Sequence, residues 1–116
     1  VYVLPSYDSI KGGSEEMKKW DQDWANSGWS NVDNYWAGAK KACDTVGLSL
    51  PDKSKLQSLA KKTTAEKEQL GLPTSGSFSS SRETYYGVAI VRFDDGYTYD
   101  NGSKTYSGYR VLCVGD

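Results

Sequence analysis

Apolar residues recur at helical spacing through the first 70 positions and at strand spacing after position 84. Met17, Trp20 and Trp24 fall on one face of a predicted helix. Ser14 stands at its N-cap, Glu15 and Glu16 supply acid to its first turn, and Asn26-Ser27-Gly28 ends it. Val32, Trp36, Ala39 and Cys43 make one stripe along a second helix predicted from about Asp33 to Val46, with Gly47 as the residue that closes it. Asp52 is placed to cap a third helix, on which Leu56, Leu59 and Ala60 share a face. Positions 65–70 either continue it or form a short turn before Gly71. The first seven residues read as a short strand that Pro5 ends or confines to an edge.

After a Ser-, Gly- and Thr-rich stretch that reads as loop (73–84), the period changes. Gly87-Val88-Ala89-Ile90-Val91-Arg92-Phe93 is the best strand in the chain. Asp94-Asp95-Gly96 signals a hairpin, Tyr97-Thr98-Tyr99 its return strand, Asp100-Asn101-Gly102 a second turn, and Tyr109 to Val114 a closing strand. Helices first and strands later, without βαβ alternation, predict an α+β fold: two to three helices on a small, mostly antiparallel sheet. At 116 residues the chain is one domain, 1–116. It divides into an N-terminal strand and helix (1–30), a helical half (31–72) and a β-rich half (73–116).

Aromatic residues sharpen this division. All four tryptophans lie in the first third and read as core, whereas six of the nine tyrosines lie in the last third among Ser, Gly, Asn and Asp. Tyrosine offers large contact area at low entropic cost, and the small polar residues offer adaptable hydrogen bonds. The residues proposed for a binding face are Phe78, Ser80, Arg82, Tyr85, Tyr86, Arg92, Asp94, Tyr97, Tyr99, Asp100, Asn101 and Tyr106. With Val91 and Phe93 facing the core, alternation turns Ile90, Arg92 and Asp94 outward and puts Tyr97 and Tyr99 on one face. An ordinary strand-rich half would also be rich in tyrosine.

Charge and inventory exclude several chemistries. The net charge of −1 gives no reason to expect a nucleic-acid or membrane-surface partner. No apolar run is long enough to span a bilayer, and no segment has a signal-peptide pattern, as expected of a mature or trimmed piece. Without histidine, Ser-His-Asp and Cys-His catalysis and ordinary zinc sites are out of reach. No cofactor or metal is expected. Glu15-Glu16 and Asp21 with Asp23 are explained as helix-start acids and a polar face rather than a glycosidase pair. The lysines at 40, 41, 53, 55, 61, 62 and 67 read as solvated helix faces.

Cys43 lies in the helical stripe and Cys113 in the closing strand. A bridge between them would enclose most of the chain and place it outside a reducing cytosol. Two unpaired buried thiols are the alternative.

Taken in order, Trp36…Ala39…Cys43, Leu50-Pro51…Leu56, Phe78-Ser79-Ser80-Ser81, Val91-Arg92-Phe93…Gly96 and Tyr109-Arg110-Val111-Leu112-Cys113-Val114 resemble small bacterial and phage C-type-lectin-like domains. The resemblance covers about Asn34 to Val114. It implies paired terminal strands, two helices packed on them, and a helix-to-last-strand disulfide, Cys43–Cys113. It also implies a non-enzymatic ligand-binding or adhesion domain on a cell or virion surface, meeting a protein or glycan receptor on another surface. Such domains include variable proteins of diversity-generating retroelements, whose final third carries the diversified contact residues. They also include structural domains of pilin-like surface subunits, which is the alternative reading. Phe78 stands where the pattern has tryptophan, and the calcium-binding triplets of animal lectins are absent. Asp94, Asp95 and Asp100 are better explained by turns than as calcium ligands.

Overall fold

A computed structural model describes residues 1–11 and 14–115, without the side chains of 14–16. The side-chain roles expected of Ser14, Glu15 and Glu16 therefore lie outside the described residues. Among the described residues the chain forms, in order, β1 (Tyr2–Val3), α1 (Tyr7–Ile10), α2 (Ser14–Trp20), α3 (Gln22–Ala25), α4 (Tyr35–Thr45), α5 (Lys53–Ala60), α6 (Thr64–Gln69), β2 (Ser77–Thr84), β3 (Gly87–Arg92), β4 (Thr98–Gly102) and β5 (Cys113–Val114). The fold is α+β, with more and shorter helices than the two or three expected.

The single helix expected through Trp24 is broken at Asp21. Its carboxylate accepts from the Trp24 backbone N–H and starts α3 afresh. Asn34 likewise caps α4 by accepting from Ala37 N. At the other end of α4, Gly47 at φ 75° donates to Asp44 O, and Leu48 donates to Cys43 O. These two bonds satisfy the last carbonyls in the manner only a left-handed residue allows. Asp52 occupies the cap position of α5 but makes no capping hydrogen bond, because its carboxylate is turned to Arg82.

Two antiparallel sheets organise the strands. Terminal strands β1 and β5 pair through Tyr2↔Val114 and Val3↔Cys113, and β2-β3-β4 form a three-stranded meander. The stretch read as loop is strand β2 from Ser77 onward. Its ladder with β3 is interrupted between Ser79 and Glu83, and the serines serve that bulge. Ser80 Oγ donates to Ala89 O and accepts from Arg82 N, while Ser81 N donates to Pro51 O. Asp100, Asn101 and Gly102, read as a turn, belong to β4 instead: Gly102 pairs with Val88, and Asp100 and Asn101 fall at an irregularity in the ladder. The expected closing strand is regular only at Cys113–Val114; near its start, Arg110 makes a parallel bridge to Phe78.

β3 lies between two hydrophobic clusters. Val88 and Ile90 join α4 residues Trp36, Ala39 and Cys43, with Val111 and Cys113. Val91 and Phe93 join α5 residues Leu56, Leu59 and Ala60, with Phe78 and Leu112. Ile90, expected to face outward, is therefore buried: a strand covered on both faces carries a continuous apolar run. Trp36 is buried and donates its indole N–H to Ser80 O at 2.7 Å, tying α4 to the bulge. The remaining tryptophans are not core in the same sense. Trp20 and Trp24 are half-buried, and Trp29 is 63 % exposed. Cys43 and Cys113 form a disulfide with Cα atoms 5.2 Å apart, linking α4 to β5.

Candidate functional site

β4 and the 103–111 segment bring tyrosines to one hollow of about 360 Å³, lined by Ser77, Ile90, Arg92, Tyr97, Tyr99, Tyr106 and Tyr109. Tyr97 and Tyr99 reach it together because they are two apart along an extended chain. Tyr106 meets Tyr109 edge to face, with ring centroids 4.7 Å apart. Burial, reinforced by the neighbouring Tyr99, pushes the Tyr109 phenol above its usual value, so at neutral pH it remains a neutral hydrogen-bonding group.

Arg92 is held in place rather than free. Its guanidinium forks onto Asp95, with Nε 3.0 Å from Oδ1, and lies 5.4 Å from the Tyr97 ring centroid. The hydrogen bonds from Arg92 lower the Asp95 carboxyl to about 2. The hollow is therefore lined by hydroxyls and ring faces, with its nearest cation already paired.

The other expected site residues separate into distinct groups. Tyr85 and Tyr86 project from the tip of the β2–β3 hairpin, beside a second hollow of about 330 Å³ that also includes Asn101, Trp24 and Lys104. Arg82 pairs with Asp52, and Asp100 with Lys53, across the face shared with α5. Asp94 accepts from Gly76 N and ties two turns together. Phe78 and Ser80 belong to no surface: both are fully buried, Phe78 packing on Phe93 and Ser80 serving the bulge. They are corrections to the expected binding set, since a buried side chain has no face to offer a ligand.

Sequence reasoning missed Tyr109, Ser77 and Ile90 as groove residues. The signal for Tyr109 was its spacing of three from Tyr106 across a glycine, which lets one ring fold against the other. It also missed how lysines are used. Lys67 is buried and donates to Phe93 O at 2.7 Å. Lys40 Nζ lies 3.6 Å from the Trp36 ring centroid, and its burial lowers its pKa. Among the described residues no three acidic or thiol side chains converge as a cation site requires.

These features define a disulfide-stapled α+β domain with a tyrosine-lined surface hollow. A family model for an adhesion domain, InvE_AD, matches residues 9–114, and the chain belongs to that family. No curated protein and no solved structure matches it. An adhesion domain carrying a disulfide fits an oxidising, extracellular surface. Among the described residues no helix is long and apolar enough to cross a membrane.

Proposed function

We propose that this adhesion domain holds a protein or glycan receptor against the groove of Arg92, Tyr97, Tyr99, Tyr106 and Tyr109, without catalysis. The observation that carries the reading is the convergence of four tyrosines, from β4 with its approach and from the 103–111 segment, on one hollow. Aromatic anchors beside arginine tend to dominate contact energy. A C-type-lectin-like fold is the finer architectural reading, supported by the paired terminal strands and the helix-to-last-strand disulfide. A retroelement-diversified receptor-binding protein is its narrowest form, supported by the outward position of Tyr85, Tyr86, Tyr97, Tyr99, Asn101 and Tyr106.

The test is the triple variant Arg92→Ala/Tyr97→Ala/Tyr99→Ala, with binding of labelled domain to cultured epithelial cells as readout. Binding should fall at least tenfold while unfolding free energy changes by about 1 kcal/mol or less, as for exposed side chains. Unchanged binding with altered assembly of the parent surface protein would instead favour a pilin-like structural role.

A further inference from the structure

The hairpin that joins β2 to β3 has a two-residue turn, since Thr84 pairs with Gly87 and only Tyr85 and Tyr86 lie between them. Such turns favour Asn-Gly or Gly-X, whose positive φ matches the strand twist. Neither tyrosine has positive φ. Turn chemistry therefore does not explain these residues. Packing within the domain does not explain them either, because Tyr85 is 92 % exposed and Tyr86 75 % exposed. Their rings touch each other edge to face, with centroids 4.7 Å apart.

The tip is firmly held from below. A side chain at Gly87 would run into the Gly102 carbonyl, so β3 and β4 approach closely there because both residues are glycine. Thr84 Oγ1 donates to Asp100 O, and Lys104 bridges Glu83 to Asp21 at the start of α3. Two large rings thus stand on a braced turn, so little backbone freedom is lost there on binding. The charges beneath them are paired: Glu83 with Lys104, Arg82 with Asp52, and Asp100 with Lys53. That leaves no free cation on these side chains to favour an anionic lipid surface. A neutral aromatic pair on a braced turn suits a concave pocket on a folded protein, with acceptors for the phenol hydroxyls.

We infer that the Tyr85–Tyr86 tip is a second contact point, separate from the groove, which inserts into a pocket on a folded protein receptor. The inference rests on the adhesion reading and specifies the receptor as protein. The test replaces the pair by turn-forming residues, Tyr85→Asn/Tyr86→Gly, which removes both rings while keeping the hairpin. Tyr85→Phe/Tyr86→Phe is the companion variant, which keeps the rings and loses only the hydroxyls.

The oxidised domain and its variants are titrated onto cultured epithelial cells, before and after trypsin treatment or enzymatic removal of cell-surface glycans, and onto phosphatidylcholine/phosphatidylserine vesicles. The expected results are at least tenfold weaker binding for Asn-Gly, within about fivefold of wild type for the phenylalanine pair, loss of sites after trypsin, and no binding to vesicles. Asn-Gly binding within twofold of wild type overturns the inference while leaving the groove untouched. Binding that survives trypsin, binding lost when cell-surface glycans are removed enzymatically, or vesicle binding that depends on the rings, overturns the protein receptor. Absence of saturable wild-type binding to the cells overturns this inference and the groove together.

Discussion

Lys104 Nζ lies 2.6 Å from Asp21 Oδ2, across 83 residues of chain. The same Asp21 oxygen accepts from Asn34 Nδ2 at 2.9 Å, and Asn34 in turn caps α4. One carboxylate thus starts α3, positions the cap of α4 and receives a lysine from the far end of the sequence. The Lys104 and Asp21 side chains are only 11 % and 3 % exposed. Removing one member of such a buried pair strands the other, so Lys104→Met should cost about 3–5 kcal/mol of unfolding free energy in denaturant titrations. A loss below about 1 kcal/mol would show that water replaces the ammonium group without penalty.

The same pair sets an acid dependence. Burial alone would raise the Asp21 pKa, but hydrogen bonds from Lys104 and Asn34 outweigh it and leave the value lowered. A carboxyl with a depressed folded pKa stabilises the fold above its unfolded value and loses that contribution as pH falls through the folded one. Stability measured from pH 7 down to pH 2 should therefore fall more steeply for wild type than for Lys104→Met. Parallel curves would remove Asp21 from the explanation.

Asp95 should titrate near 2 in a carboxyl-detected NMR titration, and Arg92→Ala should raise it toward the ordinary aspartate range, with the Tyr97 backbone N–H still holding it below. The Arg92 fork is consequently intact above pH 4 and released only as pH falls through about 2. An Asp95 value unmoved by Arg92→Ala would mean that the fork does not persist in solution.

Gly108 lets the Tyr106 ring fold against the chain, because a Cβ at this position would meet the ring tip. Gly108→Ala should displace the ring from the groove while changing stability little, since the end of an exposed side chain can move aside. Receptor binding should weaken with unfolding unchanged. A large loss of stability would show that Tyr106 has nowhere else to go.

Reducing the Cys43–Cys113 bond, or replacing both residues by serine, should cost about 2–5 kcal/mol, the range for a long loop released into the denatured state. Peptide mapping without reductant should recover the linked pair. Two free thiols in protein never exposed to reductant would contradict the bond.

The helical stripes were legible because burial enforces periodicity: Trp36, Ala39 and Cys43 on α4, and Leu56, Leu59 and Ala60 on α5, are all buried as spaced. The apolar run of β3 was legible as a strand, but not its second covered face, which depends on α4 packing from the far side. β2 was hidden because Ser80 there supplies its hydroxyl to a bulge rather than apolar surface to the core. Asp100-Asn101-Gly102 has turn composition, yet close backbone approach selected its glycine and ladder pairing its conformation. Tyr97 and Tyr99 followed from alternation along β4 and its approach. Separation of the hairpin tip from the groove did not follow, because tyrosine composition alone carries no direction in space.

The pairing of β1 with β5 also decides what happens when the domain is pulled. Both strands leave the sheet at the same edge, so tension across Val1 and Gly115 peels Tyr2↔Val114 and then Val3↔Cys113 one pair at a time instead of shearing them together. Beyond that point the load passes directly from Cys113 to Cys43 through the disulfide. The 70 residues that separate them are shielded, which withholds roughly 240 Å of chain from extension at about 3.4 Å per residue. Strands β2, β3 and β4 and every tyrosine from Tyr85 to Tyr109 lie inside that shielded loop. Helices α1, α2 and α3 lie outside that loop, on the stretch that bears the load.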